Sequence, residues 1–270
     1  MIKIWKRILR EIVRYFSGAI HIFGKYSCSV CKKKVISFRP LPRFYFDNFK
    51  KYGYKIGPAE TCNREQYSCP HCGAADRDRL YAIYLRQFIS KKLSSKKTSF
   101  NTLDLAPTKG LSSFIISEFS GLPYFHYRTA DLHADGVNDK VDISDMTIYN
   151  DYYFDLFICS HMLEHVEDDR QALRELYRIL KNGGQGILMV PIDLSLKEID
   201  ENPDCSDVAE RWRRFGQGDH VRKYSKQGFI DRIIEAGFEL EQLGVEEFGI
   251  QQFVKHGITQ QSVLYIVKKP

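Results

Sequence analysis

The 270 residues, 43% of them hydrophobic, can bury a full core, and the length suggests one large domain plus an accessory piece. A net charge of +6 hides a division, since residues 1–100 carry 22 Lys and Arg against 6 Asp and Glu while residues 101–270 carry 18 against 28. The two halves therefore meet different partners. Charges every few residues along the first segment argue against a signal peptide or a membrane span there.

In chain order, the first element is a basic amphipathic helix over residues 1–24. Trp5, Ile8, Leu9, Ile12, Val13, Phe16, Ile20 and Phe23 recur at three- and four-residue steps, with Lys3, Lys6, Arg7, Arg10 and Arg14 on the other side. This pattern fits docking on an anionic membrane surface, or packing on the protein itself or on a partner helix. A cytoplasmic protein, peripheral on the inner membrane surface, is the location this suggests.

Residues 25–79 read as a small metal module. Cys28/Cys31 and Cys69/Cys72 form two Cys-x-x-Cys pairs separated by 37 residues. Two such turns complete a tetrahedral all-sulfur shell that leaves no place for water, so the metal is structural and zinc suits it best. The doubled spacing argues against disulfides or inert thiols. His71 and Cys62 lie close enough in sequence to substitute but rank below the four, and Cys159 and Cys205 stand alone. Between the pairs, Phe44, Tyr45, Phe46, Phe49, Tyr52 and Tyr54 mix with Arg43, Lys50, Lys51 and Lys55. Such a mixture can stack bases and neutralise phosphates, although a small module also needs aromatics simply to pack. Residues 80–99 are expected to close a helix (about 78–90) and then form a solvated Lys/Ser hinge.

From Phe100 to Pro270, short apolar strands alternate with amphipathic helices, the pattern of an α/β doubly wound sheet. The strand-like pieces are residues 102–106, 123–130, 154–160, 186–192, 238–245 and 262–269. The clearest helix follows Asp168, an N-cap with Gln171 three residues on, and stops before Gly183-Gly184.

Ligands of such sheets lie beyond the carboxyl ends of the strands, where this chain places acidic turns. Asp104 closes the first strand, Asp131 ends the second 27 residues later, and Asp142 follows after eleven more. A carboxylate at the second position can accept both ribose hydroxyls of an adenosine ligand. The Gly-x-Gly-x-x-Gly that a dinucleotide's pyrophosphate needs is missing, whereas S-adenosylmethionine carries no phosphate.

The segment FDLFICSHMLEHVEDDRQALRELYRILKNGGQGILMVPI, with the acidic turns before it, resembles the fourth-strand, helix and fifth-strand block of class I S-adenosylmethionine-dependent methyltransferases (methyltransferase type 11-like). The likeness covers about residues 100–268. Within that family the chain is similar to bacterial methyltransferases with a four-cysteine module in front and WRRFGQGDHVRKYS behind. It implies a Rossmann-like sheet, here preceded by a zinc-ribbon-like module and the amphipathic helix, and S-adenosylmethionine as cofactor. It also implies that Asp104 and the loop Ala106, Pro107 to Gly110 hold the methionine end, Asp131 with Leu132 the ribose, Asp142 and Ile143 the adenine, and Ser160-His161 the floor. The first loop departs from the family's Asp-x-Gly-x-Gly-x-Gly, keeping only Gly110.

Methyl transfer from a sulfonium needs mainly an in-line nucleophile, with a base for weak nucleophiles. His161 and the pair Asp219-His220, in a long insertion (about 193–225) of the kind that forms lids, are the catalytic candidates. Glu164-His165 reads as a structural bridge between turns. Arg214 and Arg222 either bind an acidic substrate or pair with local carboxylates. The leading expectation is a methyltransferase for a small-molecule, glycan or lipid-linked acceptor, at O or N. An RNA methyltransferase gripping its substrate through the zinc module, and an inactive scaffold with a degenerate cofactor loop, are the competing readings. The oligomeric state is not legible.

Overall fold

A computed structural model describes residues 24–95 and 98–270. The amphipathic helix expected in residues 1–24 lies almost wholly outside them. Among the described residues no helix is long and apolar enough to cross a membrane.

The metal module opens with β1 (Tyr26–Ser27) and β2 (Lys34–Val35), which pair antiparallel around the first cysteine turn. Helix α1 (Arg43–Tyr52) follows and ends on Gly53 in the left-handed region. Helix α2 runs from Asp76 to Ser95. The hinge expected from residue 91 thus begins later, because a Lys/Ser run retains adequate helix propensity once a long helix is under way.

The main sheet has seven strands. They are β3 (Phe100–Leu105), β4 (Phe125–Asp131), β5 (Asp139–Lys140), β6 (Phe154–Ser160), β7 (Leu180–Met189), β10 (Glu239–Leu243) and β11 (Leu264–Lys268). Their spatial order is β10, β11, β7, β6, β3, β4, β5, parallel except that β11 runs against β7 and β10. The order turns back between β3 and β6, where ligands of doubly wound sheets bind. Helices α3 (Lys109–Phe119), α4 (Asp169–Ile179) and α6 (Lys226–Glu235) flank the sheet. Helix α4 is capped by Asp168, which accepts from the Gln171 amide at 2.9 Å as its sequence foretells. The core runs through both parts of the chain, joining Val35 and Phe38 of the module to Leu103, Phe157 and Ile187 of the sheet.

The insertion after β7 holds β8 (Asp200–Glu201), α5 (Val208–Phe215) and β9 (Arg222–Lys223), and two short helices, α7 (Val245–Phe248) and α8 (Ile250–Lys255), precede β11. Trp212 of α5 meets the aromatic face of α1, stacking on Tyr52 at 5.8 Å and edge-on to Phe44 and Phe49. Part of the aromatic cluster thus packs against α5, while Phe44 and Phe46 stay exposed.

Arg79 ties the module to the sheet domain. It is fully buried, donates to the carbonyls of Tyr67, Ala74, His256 and Gly257, and lies 3.7 Å over the Phe38 ring. A guanidinium removed from water is tolerable only when its donors are used in this way.

Candidate active site and metal centre

The four-cysteine centre forms as its spacing predicts. Backbone bonds close each knuckle, Cys28 N to Lys33 O and Cys69 N to Ala74 O, both at 2.9 Å. They bring Sγ of Cys28 to 3.8 Å from Cys72 and Sγ of Cys31 to 3.8 Å from Cys69. A tetrahedron with Zn–S bonds of about 2.3 Å has edges of about 3.8 Å, so the thiolates fit zinc as they stand. Neither His71 nor Cys62 belongs to this cluster. Cys62 lines a cavity instead, its thiol pushed up to about 11 by burial.

At the carboxyl edge of the sheet, Asp104 is 1% exposed and accepts from the Tyr127 hydroxyl at 2.5 Å. Burial pushes its carboxyl up to about 7, the Tyr127 bond opposes this, and Asp78 on α2 adds to it. A buried acidic site of this kind suits a cationic ligand, which the sulfonium and ammonium of S-adenosylmethionine supply. Ala106 follows with φ of +49°. The loop keeps the left-handed turn where a glycine sits without strain, although the glycine is gone. Thr108 caps α3, and Gly110 lets the second knuckle approach, since a Cβ there would lie 3.2 Å from Ala74 Cβ and from Cys72 O.

The remaining sequence candidates sit on the same edge. Asp131 Oδ1 accepts from the amides of His133 and Ala134 at 2.7 and 2.6 Å, shaping the turn after β4, and Leu132 beside it is exposed. Asp142 Oδ1 accepts from Ser144 N at 2.8 Å, and Ile143 is buried. Ser160 Oγ is 2.8 Å from the Tyr81 hydroxyl on α2. Register places Asp104, Asp131 and Ser160 at or beside the carboxyl ends of the adjacent strands β3, β4 and β6 respectively.

Beyond β6 and β7 lies a cavity of about 340 Å³. Its floor includes His161, Glu164, His165 and His220; Tyr45, Phe49, Tyr54 and Phe215 form aromatic walls, and Arg77 enters from the start of α2. His161 has φ of +57°, a left-handed conformation uncommon for residues other than glycine. Glu164 differs from its sequence reading as a simple bridge. It is 1% exposed, and neither carboxylate oxygen has a hydrogen-bond partner among the described residues. His161 Nδ1 stands 3.4 Å from Oε1 without hydrogen-bond geometry. Burial would raise the Glu164 carboxyl, but His161, then His220 and His165, outweigh it and hold it down to about 2. Burial also lowers the imidazoles of His161 and His220, the latter to about 4.

Asp219 does not line the cavity; its side chain is 70% exposed and its Oδ2 lies 3.4 Å from His165 Nδ1. Arg222 and Arg214 are ion-paired, with Glu201 and Asp200 respectively, and Arg222 also donates to Leu163 O at 2.6 Å. Neither is offered to a substrate. Arg77 was missed from the sequence, and its signal was weak, one basic residue within Asp76-Arg77-Asp78-Arg79. Its buried Nε has no hydrogen-bond partner among the described residues.

A family profile described as a methyltransferase domain matches residues 126–188, the stretch from β4 to β7 that carries these strand ends. In that stretch the chain is similar to a methyltransferase domain. Similar solved structures are an S-adenosylmethionine-dependent methyltransferase from Archaeoglobus fulgidus and phosphoethanolamine N-methyltransferase 2 of Haemonchus contortus in complex with S-adenosylmethionine. The first is 16% identical over 71% of this chain and 94% of the other, with a TM-score of 0.43. The second is 13% identical over 69% and 52%, with a TM-score of 0.42. No curated protein matches the chain. Cys28, Cys31, Cys69 and Cys72 are placed to hold a zinc ion.

Proposed function

We propose that the chain is an S-adenosylmethionine-dependent methyltransferase acting at an oxygen or nitrogen of a small-molecule acceptor, or of one linked to a glycan or lipid, bound in the cavity beyond β6 and β7. The cavity carries this reading, because an open cleft of about 340 Å³ with aromatic walls and a polar floor suits a compact ligand. Bound S-adenosylmethionine supplies an already activated methyl group, so the chain's task is to hold the acceptor atom in line. Asp104, Ala106 to Gly110, Asp131, Asp142 and Ser160 would hold the cofactor. His161 and His220 on its floor would face the acceptor's reacting end, and Arg77 suits a carboxylate.

The test is a transfer assay with labelled cofactor over small-molecule, glycan, lipid and RNA fractions. Label is expected in one of the first three. Label confined to RNA would replace this reading with the nucleic-acid one, and binding then falls linearly with salt on logarithmic axes. Absence of cofactor binding in zinc-loaded protein would favour an inactive scaffold. We further propose that residues 1–24 rest on an anionic membrane surface. Deleting them is expected to abolish sedimentation with anionic vesicles, and unchanged sedimentation contradicts the idea.

A further inference from the structure

Packing does not account for the polar floor of the cavity. Glu164 is buried with both oxygens lacking hydrogen-bond partners among the described residues, and so is His220 Nε2, on a side chain 3% exposed. A buried carboxylate with unused oxygens is costly unless a donor or a cation meets it. One ligand atom from each of Glu164, His165 and His220 lies within 4.8 Å of the others, as four thiolates do in the cysteine centre. His165 turns Nε2 toward Glu164 at 4.0 Å while Asp219 Oδ2 stands 3.4 Å behind its Nδ1. A carboxylate behind an imidazole is the arrangement that fixes the ring of a metal ligand. The backbone holds the group together. Val221 N donates to Glu164 O at 2.9 Å and Arg222 to Leu163 O at 2.6 Å, pinning the insertion to the turn after β6.

We propose that Glu164, His165 and His220 bind a divalent first-row transition cation, separate from the cysteine centre, and that an oxygen of the methyl acceptor enters its shell. The second part rests on the cavity being the acceptor site. Two imidazoles and a carboxylate suit zinc, manganese or iron, and three protein donors leave positions open toward the cavity. The acceptor class is thereby narrowed to compounds carrying a hydroxyl or carboxylate oxygen beside the methylated atom, or at it.

Manganese is the discriminating probe, since the thiolate shell prefers zinc. Zinc-loaded full chain is titrated with Mn²⁺ and followed by calorimetry and electron paramagnetic resonance, with elemental analysis for zinc. One equivalent of manganese is expected in the wild type. Glu164→Gln, His220→Ala and the more exposed His165→Ala should each bind it at least about tenfold more weakly while retaining the cysteine-bound zinc, which also reports that they fold. Wild type that takes neither manganese nor a second zinc, or variants that bind unchanged, would overturn the site. Methyl transfer by protein without this second metal would overturn its role and leave the proposed function standing. Metal bound without transfer to any fraction would do the reverse.

Discussion

Asp104 is the residue whose chemistry is most open to a pH measurement. Its carboxyl, ordinarily near 3.8, is pushed up to about 7 by burial and by Asp78 on α2, against the hydrogen bond from Tyr127 on β4. Because the folded value lies above the ordinary one, the free protein holds the proton below about pH 7. The stability it contributes is present below about pH 3.8 and lost as pH rises through about 7. A cationic cofactor requires the opposite form, so S-adenosylmethionine affinity is expected to rise between about pH 6 and pH 8 and then level off. Calorimetry with Asp104→Asn should show weaker binding without that slope, and a flat wild-type profile contradicts the assignment. Arg79 makes a different prediction. Arg79→Met leaves several buried carbonyls without donors and should cost at least about 3 kcal/mol in denaturant unfolding; a loss below about 1 kcal/mol would show that the module is not held this way. Much of the site was legible in residues whose spacing carries chemistry, namely the paired cysteines and the acidic strand ends. Glu164 and Arg77 were hidden because their meaning lies in lost hydrogen-bond partners, a property that only the fold creates.

At the scale of elements, the second zinc knuckle and the first turn of α3 are in contact through Gly110, where added atoms would meet Ala74 and Cys72 O. Gly110→Val is therefore expected to cost about 2 kcal/mol and to weaken zinc retention against a chelator. Unchanged melting and retention would mean that the knuckle does not bear on the cofactor loop. Helix α1 and helix α5 form a comparable joint across the cavity mouth. Trp212→Ala should cost about 3 kcal/mol by chemical denaturation, because Trp212 is the buried ring on which Tyr52, Phe44 and Phe49 converge. A change of a few tenths would contradict that role. The parallel strands β3, β6 and β7 could be read from sequence because strands buried on both faces appear as continuous apolar runs. Two-residue β5 has no such run, and the end of α2 was displaced because Lys and Ser are solvated in a hinge and in a helix alike.

At the scale of the whole molecule, helix α2 links the four-cysteine centre to the proposed cofactor loop and to the proposed acceptor cavity. Helix α2 starts at the second knuckle, and its first turns offer Asp78 to the cofactor loop through Thr108 at 3.4 Å, Arg77 to the cavity and Tyr81 to Ser160 at 2.8 Å. Loop residues 57–61 run along the end of β7, with Leu194 N donating to Pro58 O at 2.9 Å and Glu60 N to Ile192 O at 3.1 Å. Zinc should therefore stabilise more than its own module. The most direct measurement is calorimetric titration of S-adenosylmethionine into the full chain before and after zinc is stripped from the cysteines. Binding near the micromolar range in loaded protein, weakened at least about tenfold by stripping, is the expected result. No binding in loaded protein, or the same affinity in both, would contradict a cofactor site built jointly by the metal module and the sheet.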